Sequence, residues 1–80
     1  MKIRVDVKLK PGVLDPQGRA VGQALHSLGF AEVGEVRIGK SIEIDIDTTS
    51  QEVAVSKGRE MARKLLANLV IESFEVSVIG

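Results

Sequence analysis

The stretch Pro11-Gly12-Val13-Leu14-Asp15-Pro16-Gln17-Gly18 decides how this chain is organised. It separates two segments of different hydrophobic period and sets the passage between them. Asp15-Pro16 reads as a helix start. The Asp side chain can accept from free N–H groups of the first turn, and Pro brings a preset φ to the first helical position. Pro11 ends whatever strand precedes it, because it has no N–H to donate to a ladder. Val13 and Leu14 are apolar residues in an otherwise polar corner. They either pack on the first helical turn as a staple or form a surface anchor.

On the N-terminal side, Lys2 to Lys10 alternates. Ile3, Val5, Val7 and Leu9 point one way, and Lys2, Arg4, Asp6, Lys8 and Lys10 the other, the pattern of a strand with one buried face. On the C-terminal side, Gln17 to Leu28 reads as a helix. Ala20, Val21, Ala24, Leu25 and Leu28 form a stripe along it. Gly18 and Gly22 weaken its propensity by about 1 kcal/mol each against Ala. The expectation is that they let the helix approach the sheet closely; the alternative is a surface lowered for a partner backbone. Gly29 is placed as a C-cap, with Phe30 folding back on the stripe.

Further on, Val36 and Ile38 alternate with Glu35 and Arg37, then Ile42, Ile44 and Ile46 alternate with Glu43, Asp45 and Asp47. Within Val33–Asp47 the economical reading is two strands joined by a hairpin at Gly39-Lys40. Thr48-Thr49-Ser50 opens a second helix, with Thr49 and Glu52 at capping-box spacing. Ala54, Gly58, Met61, Ala62, Leu65 and Leu66 form its inward stripe, and Asn68 is its expected C-cap. Val70 to Ile79 is the last strand, with Phe74, Val76 and Val78 on one face and Glu72 marking a bulge or late entry. The order is strand, helix, strand, strand, helix, strand. The fold class expected is α+β: one domain over residues 1–80, two-layer and ferredoxin-like (βαββαβ), with an antiparallel sheet and two helices on one face.

Eleven Lys and Arg cancel eleven Asp and Glu. That balance argues against a nucleic-acid footprint and against attraction to an anionic membrane. The chain has no Cys, no apolar signal core and no transmembrane-length run, so a soluble, intracellular, cytoplasmic setting is expected. The uncovered sheet face is expected to carry Arg4, Asp6, Lys8, Arg37, Glu43, Asp45, Glu75 and Ser77. With no Trp or Tyr, such a face lacks the stacking groups an RNA-binding sheet needs. His26, the only histidine, reads as a surface helix residue, and without a second His or any Cys a zinc site has no ligands. The Glu43, Asp45 and Asp47 row reads as a charge-blunted strand rather than a Mg²⁺ site. Gly39-Lys40-Ser41 lacks the glycine-rich loop that would make it a phosphate cradle. No nucleophile, base and oxyanion site assemble. From the residues alone this is a small scaffold or adaptor, with no catalytic, cofactor-binding or metal residue expected.

The chain as a whole resembles the PurS-type small subunit of phosphoribosylformylglycinamidine synthase. The resemblance rests on Val7-Lys8-Leu9-Lys10-Pro11-Gly12-Val13-Leu14-Asp15-Pro16-Gln17-Gly18, on Leu28-Gly29-Phe30 and on Val36-Arg37-Ile38-Gly39-Lys40. Leu65-Leu66-Ala67-Asn68 with Val70-Ile71-Glu72 completes it. Leu69 stands where that family usually has a proline. The resemblance implies a subunit of a glutamine-dependent C–N ligase in purine (IMP) biosynthesis, with no active site of its own. The complex converts FGAR, glutamine and ATP to FGAM, glutamate, ADP and phosphate. It also implies self-association as a homodimer, with pairing into tetramers left open, and two partners: a glutaminase subunit and a synthetase subunit that holds ATP and Mg. Within that family such a chain bridges the partners and assists ammonia transfer. The expected partner contacts are Leu14, Asp15, Gln17, Arg19, Arg37 and Lys40. The alternative is a free-standing small-molecule-binding regulatory domain, a frequent use of this topology.

Overall fold

Alternation at the start of the chain becomes strand β1, Lys2–Leu9, and everything else is arranged about it. The computed structural model describes residues 1–80. Helix α1 is Pro16–Ser27, strand β2 Gly39–Asp45, helix α2 Gln51–Met61 and strand β3 Glu72–Val78. The sheet is antiparallel in the order β2-β1-β3. Ile3 lies between Ile44 and Val78, and Val5 between Ile42 and Val76. On that face Ile3, Val5 and Val7 are fully buried, beneath α2, which packs over β1 and β3. Gly58 is the point of closest approach. A Cβ there would lie 2.5 Å from Ile3 Cδ1 and 2.9 Å from Val76 Cγ1.

The α+β class, the antiparallel sheet and the two helices stand as the sequence indicated, and the element order is consistent with βαββαβ with three of its four strands paired. The fourth strand does not form. Gly39-Lys40 is not a hairpin turn but the start of β2, with Lys40 opposite Val7 and Gly39 opposite Lys8. The missing side chain at Gly39 leaves room for the Val7 carbonyl, which a Cβ would meet at 2.7 Å. Val33–Ile38 is instead an irregular arm lying along α1.

That arm, not the sheet, is what the glycines of α1 meet. Gly18 and Gly22 are the buried residues of the helix. Gly18 abuts the Val36 carbonyl, and a Cβ on Gly22 would be 3.5 Å from Val36 Cγ2. Close helix-to-sheet packing is therefore corrected to close helix-to-arm packing. The expected stripe is turned outward: Ala20, Val21, Ala24 and Leu28 are exposed and Leu25 is half-buried. The chain measures 48 × 26 × 14 Å with a radius of gyration of 15.9 Å, against about 12 Å for a compact chain of this length. Nine residues in all are buried.

Helix ends also shift in instructive ways. Gly29, at φ +97, closes α1 in a Schellman arrangement in which Phe30 N–H donates to Leu25 O and Gly29 N–H to His26 O. Phe30 itself stays half-exposed. The N-cap of α2 is Ser50, whose Oγ accepts from Val53 N at 3.2 Å, rather than Thr49. After Met61 the helix widens into a π turn, Ala62–Leu66, with Ala67 N–H donating to Ala62 O. The extra residue in that turn rotates Leu65 outward, 83% exposed, and keeps Ala62 and Leu66 inward. Asn68 does not cap α2 but builds the next corner. Its carbonyl accepts from Ile71 and Glu72 N–H, and its Oδ1 from Val70 N–H. The Leu69 carbonyl accepts from Lys10 Nζ at 2.7 Å. Side-chain bonds thus fix the corner that a proline would have restricted. Glu72 is indeed the late entry point into β3, opposite Leu9.

Candidate functional site

Pro11–Gly18 is a polar clasp between the sheet, α1 and the arm. Asp15 is 6% exposed. Its Oδ1 accepts from Gly18 N at 2.8 Å as the N-cap of α1, and its Oδ2 accepts from Ile38 N at 2.7 Å across the arm. Arg37 works from the other side. Its guanidinium donates to Val13 O at 2.8 Å and to Lys10 O at 3.1 Å, and its Nε lies 3.7 Å from Glu35 Oε1. His26 Nε2 lies 2.7 Å from Val33 O. Because a carbonyl only accepts, that nitrogen carries the proton. Arg37 was expected on the uncovered sheet face, but its strand does not form, and its side chain staples the corner. Of the remaining face, Arg4 sits opposite Glu43 and Ser77, and Asp6 opposite Glu75. Arg4 also pairs with Asp6 at 3.3 Å.

The six expected contact residues divide by whether their polar groups are bonded within the chain. Asp15 and Arg37 are occupied within the chain. Leu14, Gln17, Arg19 and Lys40 are exposed, with Leu14 at 68%. A groove of about 310 Å³ runs between α1 and the arm, walled by Arg19, Gln23 and His26 on one side and Glu35 and Arg37 on the other. A smaller hollow of about 230 Å³ joins Asp15 and Gln17 to Val7, Lys40 and Glu72 at the end of the sheet. No group of three or more His, Cys, Asp or Glu side chains is placed to hold a metal ion. No helix is long and apolar enough to cross a membrane. Sequence reasoning missed Val36 as the residue that fills the glycine face of α1. Its only signal was the four-residue spacing of Gly18 and Gly22, which calls for a neighbour without saying which.

The Ile38 and Gly18 N–H groups hold the Asp15 carboxyl below its ordinary range, with help from Arg37 and the Gln17 N–H, against the opposing effect of burial. A folded-state value below the unfolded one stabilises the fold above the ordinary carboxylate range, and this contribution is lost as pH falls through the folded value. Asp15→Asn is therefore expected to be less stable than the parent at neutral pH and to converge with it below about pH 4. Its amide can accept from one N–H but turns a donor toward the other. Urea midpoints measured across the acid range test this; curves that stay parallel would contradict it.

Residues 2–80 match the family model PurS, described as phosphoribosylformylglycinamidine (FGAM) synthase. The chain is 49% identical over 77 residues to the phosphoribosylformylglycinamidine synthase subunit PurS of Bacillus subtilis, covering 96% of this chain and 90% of that one. It is 44% identical over 77 residues to the Methanocaldococcus jannaschii subunit of the same name, covering 96% and 93%. Among solved structures, Bacillus subtilis PurS superposes with a TM-score of 0.84 at 48% identity, over 99% of this chain and 98% of that one. A chain of the PurLQS structure from Thermotoga maritima superposes with a TM-score of 0.88 at 29% identity, over 98% and 95%.

Proposed function

This chain belongs to the PurS family of phosphoribosylformylglycinamidine synthase, and from that premise we propose that it is a non-catalytic bridging subunit. It self-associates, joins a glutaminase to an ATP-dependent synthetase, and holds them so that ammonia released from glutamine reaches FGAR. ATP and Mg belong to the synthetase partner, and the complex works in the cytoplasm.

The observation that carries this reading is how little the chain encloses. Nine of its 80 residues are buried, while α1 turns its apolar stripe outward. A molecule built this way presents surfaces rather than surrounding a substrate. Free ammonia is lost to protonation and diffusion, so holding two active sites in register is itself a catalytic contribution. Leu14, Gln17, Arg19 and Lys40 are the side chains this reading gives to partner contact. Asp15 and Arg37 set the shape of the corner beneath them.

Reconstitution tests it. The glutaminase and synthetase are mixed with and without this chain, and FGAM formation is measured with glutamine or with an ammonium salt as nitrogen donor. Glutamine-dependent turnover is expected to fall roughly a hundredfold without the chain, the scale at which misplaced reacting groups lose rate. Ammonium-dependent turnover should be nearly unchanged. The Leu14→Ser, Arg19→Ala double variant should fall between the two glutamine-dependent rates. Equal glutamine-dependent rates with and without the chain would sink the bridging role.

A further inference from the structure

Gly18 and Val36 mark where α1 and the arm touch. Their neighbours in sequence, Arg19 and Glu35, stand on opposite walls of the groove of about 310 Å³, a volume at the small end of ligand sites. Asp15, Arg19, Glu35 and Arg37 are the formal charges of its lining. Two of them are engaged within the chain. Asp15 accepts from Gly18 N and Ile38 N, and Arg37 donates to Val13 O and Lys10 O. The other two are not. Arg19 has no ion-pair partner, and Glu35 meets only Arg37 Nε, at 3.7 Å, with its side chain 78% exposed. A free cation and an exposed anion thus flank the groove without meeting each other.

Beyond Arg19, α1 carries Gln23 and His26 along the same wall, about one and two turns further on. The Gln23 amide offers a donor and an acceptor, and neither is bonded within the chain. His26 Nε2 carries its proton toward Val33 O, which leaves Nδ1 of the neutral ring as an acceptor. In order, the helix wall presents a cation, an amide and an acceptor, with an anion on the arm across from it. A phosphate matches this set poorly, because Glu35 faces it and the Arg37 guanidinium is held by carbonyls.

We propose that the groove binds a free α-amino acid whose side chain ends in a carboxamide. The ligand's carboxylate meets the Arg19 guanidinium, and its ammonium meets the Glu35 carboxylate. Its side-chain amide pairs with the Gln23 amide and donates its second N–H to His26 Nδ1. A side-chain carboxylate has only acceptors to offer and sets them against the Nδ1 lone pair, so the corresponding acid is disfavoured. The lining holds no hydroxyl, thiol or amine nucleophile, so the ligand is held there and not converted. The site lies wholly within one chain and goes beyond the bridging reading without depending on it.

His26 is the only histidine, so its imidazole C–H signals report on the groove by NMR. The full chain is titrated with glutamine, glutamate and propionamide. Glutamine is expected to give a saturable shift. Glutamate and propionamide should bind more weakly by at least about tenfold, the scale of a lost charge-assisted hydrogen bond. Arg19→Gln and Glu35→Gln, both at exposed positions, should each weaken glutamine binding by a similar factor. Gly34→Leu is the blocking variant. A Cβ there meets nothing within 4 Å, so the added bulk takes up open space in the groove, and the shift should disappear. Lys57→Gln on the exposed side of α2 should bind as the parent does. No saturable shift with glutamine in the parent overturns the site, and a shift that persists unchanged in the Arg19, Glu35 and Gly34 variants overturns its location. Equal affinity for glutamine and glutamate overturns the carboxamide, and equal affinity for glutamine and propionamide overturns the paired charges. None of these readouts involves the partner subunits, so failure here is distinct from failure of the reconstitution.

Discussion

Gly18→Ala is expected to detach the arm from α1 and to cost about 3 kcal/mol, the upper end of overpacking penalties. The added methyl would run into the Val36 carbonyl. That is backbone, and it cannot swing aside as a side-chain end can. It would also sit 3.0 Å from Asp15 Cγ, so the N-cap and the bond to Ile38 N–H move with it. Gly22→Ala is the control one turn further along. Its methyl would meet Val36 Cγ2 at 3.5 Å, an ordinary contact, and the substitution gains about 1 kcal/mol of helix propensity. Two identical substitutions four residues apart should therefore act with opposite sign in denaturant titrations. Gly18→Ala should also weaken assembly, because the angle of α1 depends on the arm. A Gly18→Ala protein as stable as its parent would mean that the arm is not seated on α1 through Val36.

Much of this architecture was legible because it follows local rules. Alternation from Lys2 to Lys10 located β1 and its buried face. Asp15-Pro16 located the start of α1, and Gly29 its end. These depend on residues within one turn of each other. The errors arose where a local pattern was satisfied by a distant partner. Val36 and Ile38 alternate as strand residues do, yet they do not pair, because the Gly18 and Gly22 face draws Val36 onto the helix and Asp15 takes the Ile38 N–H. Leu65 fell on a perfect 3.6-residue stripe, which the π turn after Met61 then displaced. The α1 stripe was read correctly as apolar, but periodicity says only that a face needs cover, not which chain supplies it. At the corner, Asp15 and Arg37 were singled out for their place in the family-like stretch. Neither residue type nor spacing could show that their hydrogen bonds are spent inside the chain, leaving Leu14, Gln17, Arg19 and Lys40 outward.

Ile3→Ala is expected to remove a large part of the chain's stability unless assembly supports it. Ile3 has no exposed surface and sits under Gly58, flanked by Ile44 and Val78. Truncating such a side chain costs about 2–5 kcal/mol, and an 80-residue domain holds only about 4–12 kcal/mol in all. Only Ile3, Val5, Val7, Ala54 and Ala62 form the buried apolar cluster, so no second core can compensate. Unfolding followed by circular dichroism should show the loss, and it should shrink at higher protein concentration if copies support one another. A finer experiment locates the contact. Ile3→Val removes Cδ1 and should cost about 1 kcal/mol. Gly58→Ala alone places a methyl 2.5 Å from that Cδ1 and should cost about 1–3 kcal/mol. Combined, the new methyl occupies the space that Cδ1 leaves. The pair should therefore be more stable than the sum of the single variants by about 1 kcal/mol, the coupling expected of side chains in direct contact. Strict additivity would mean that α2 does not rest on β1 through these two residues, and that the single helix over this sheet is seated some other way.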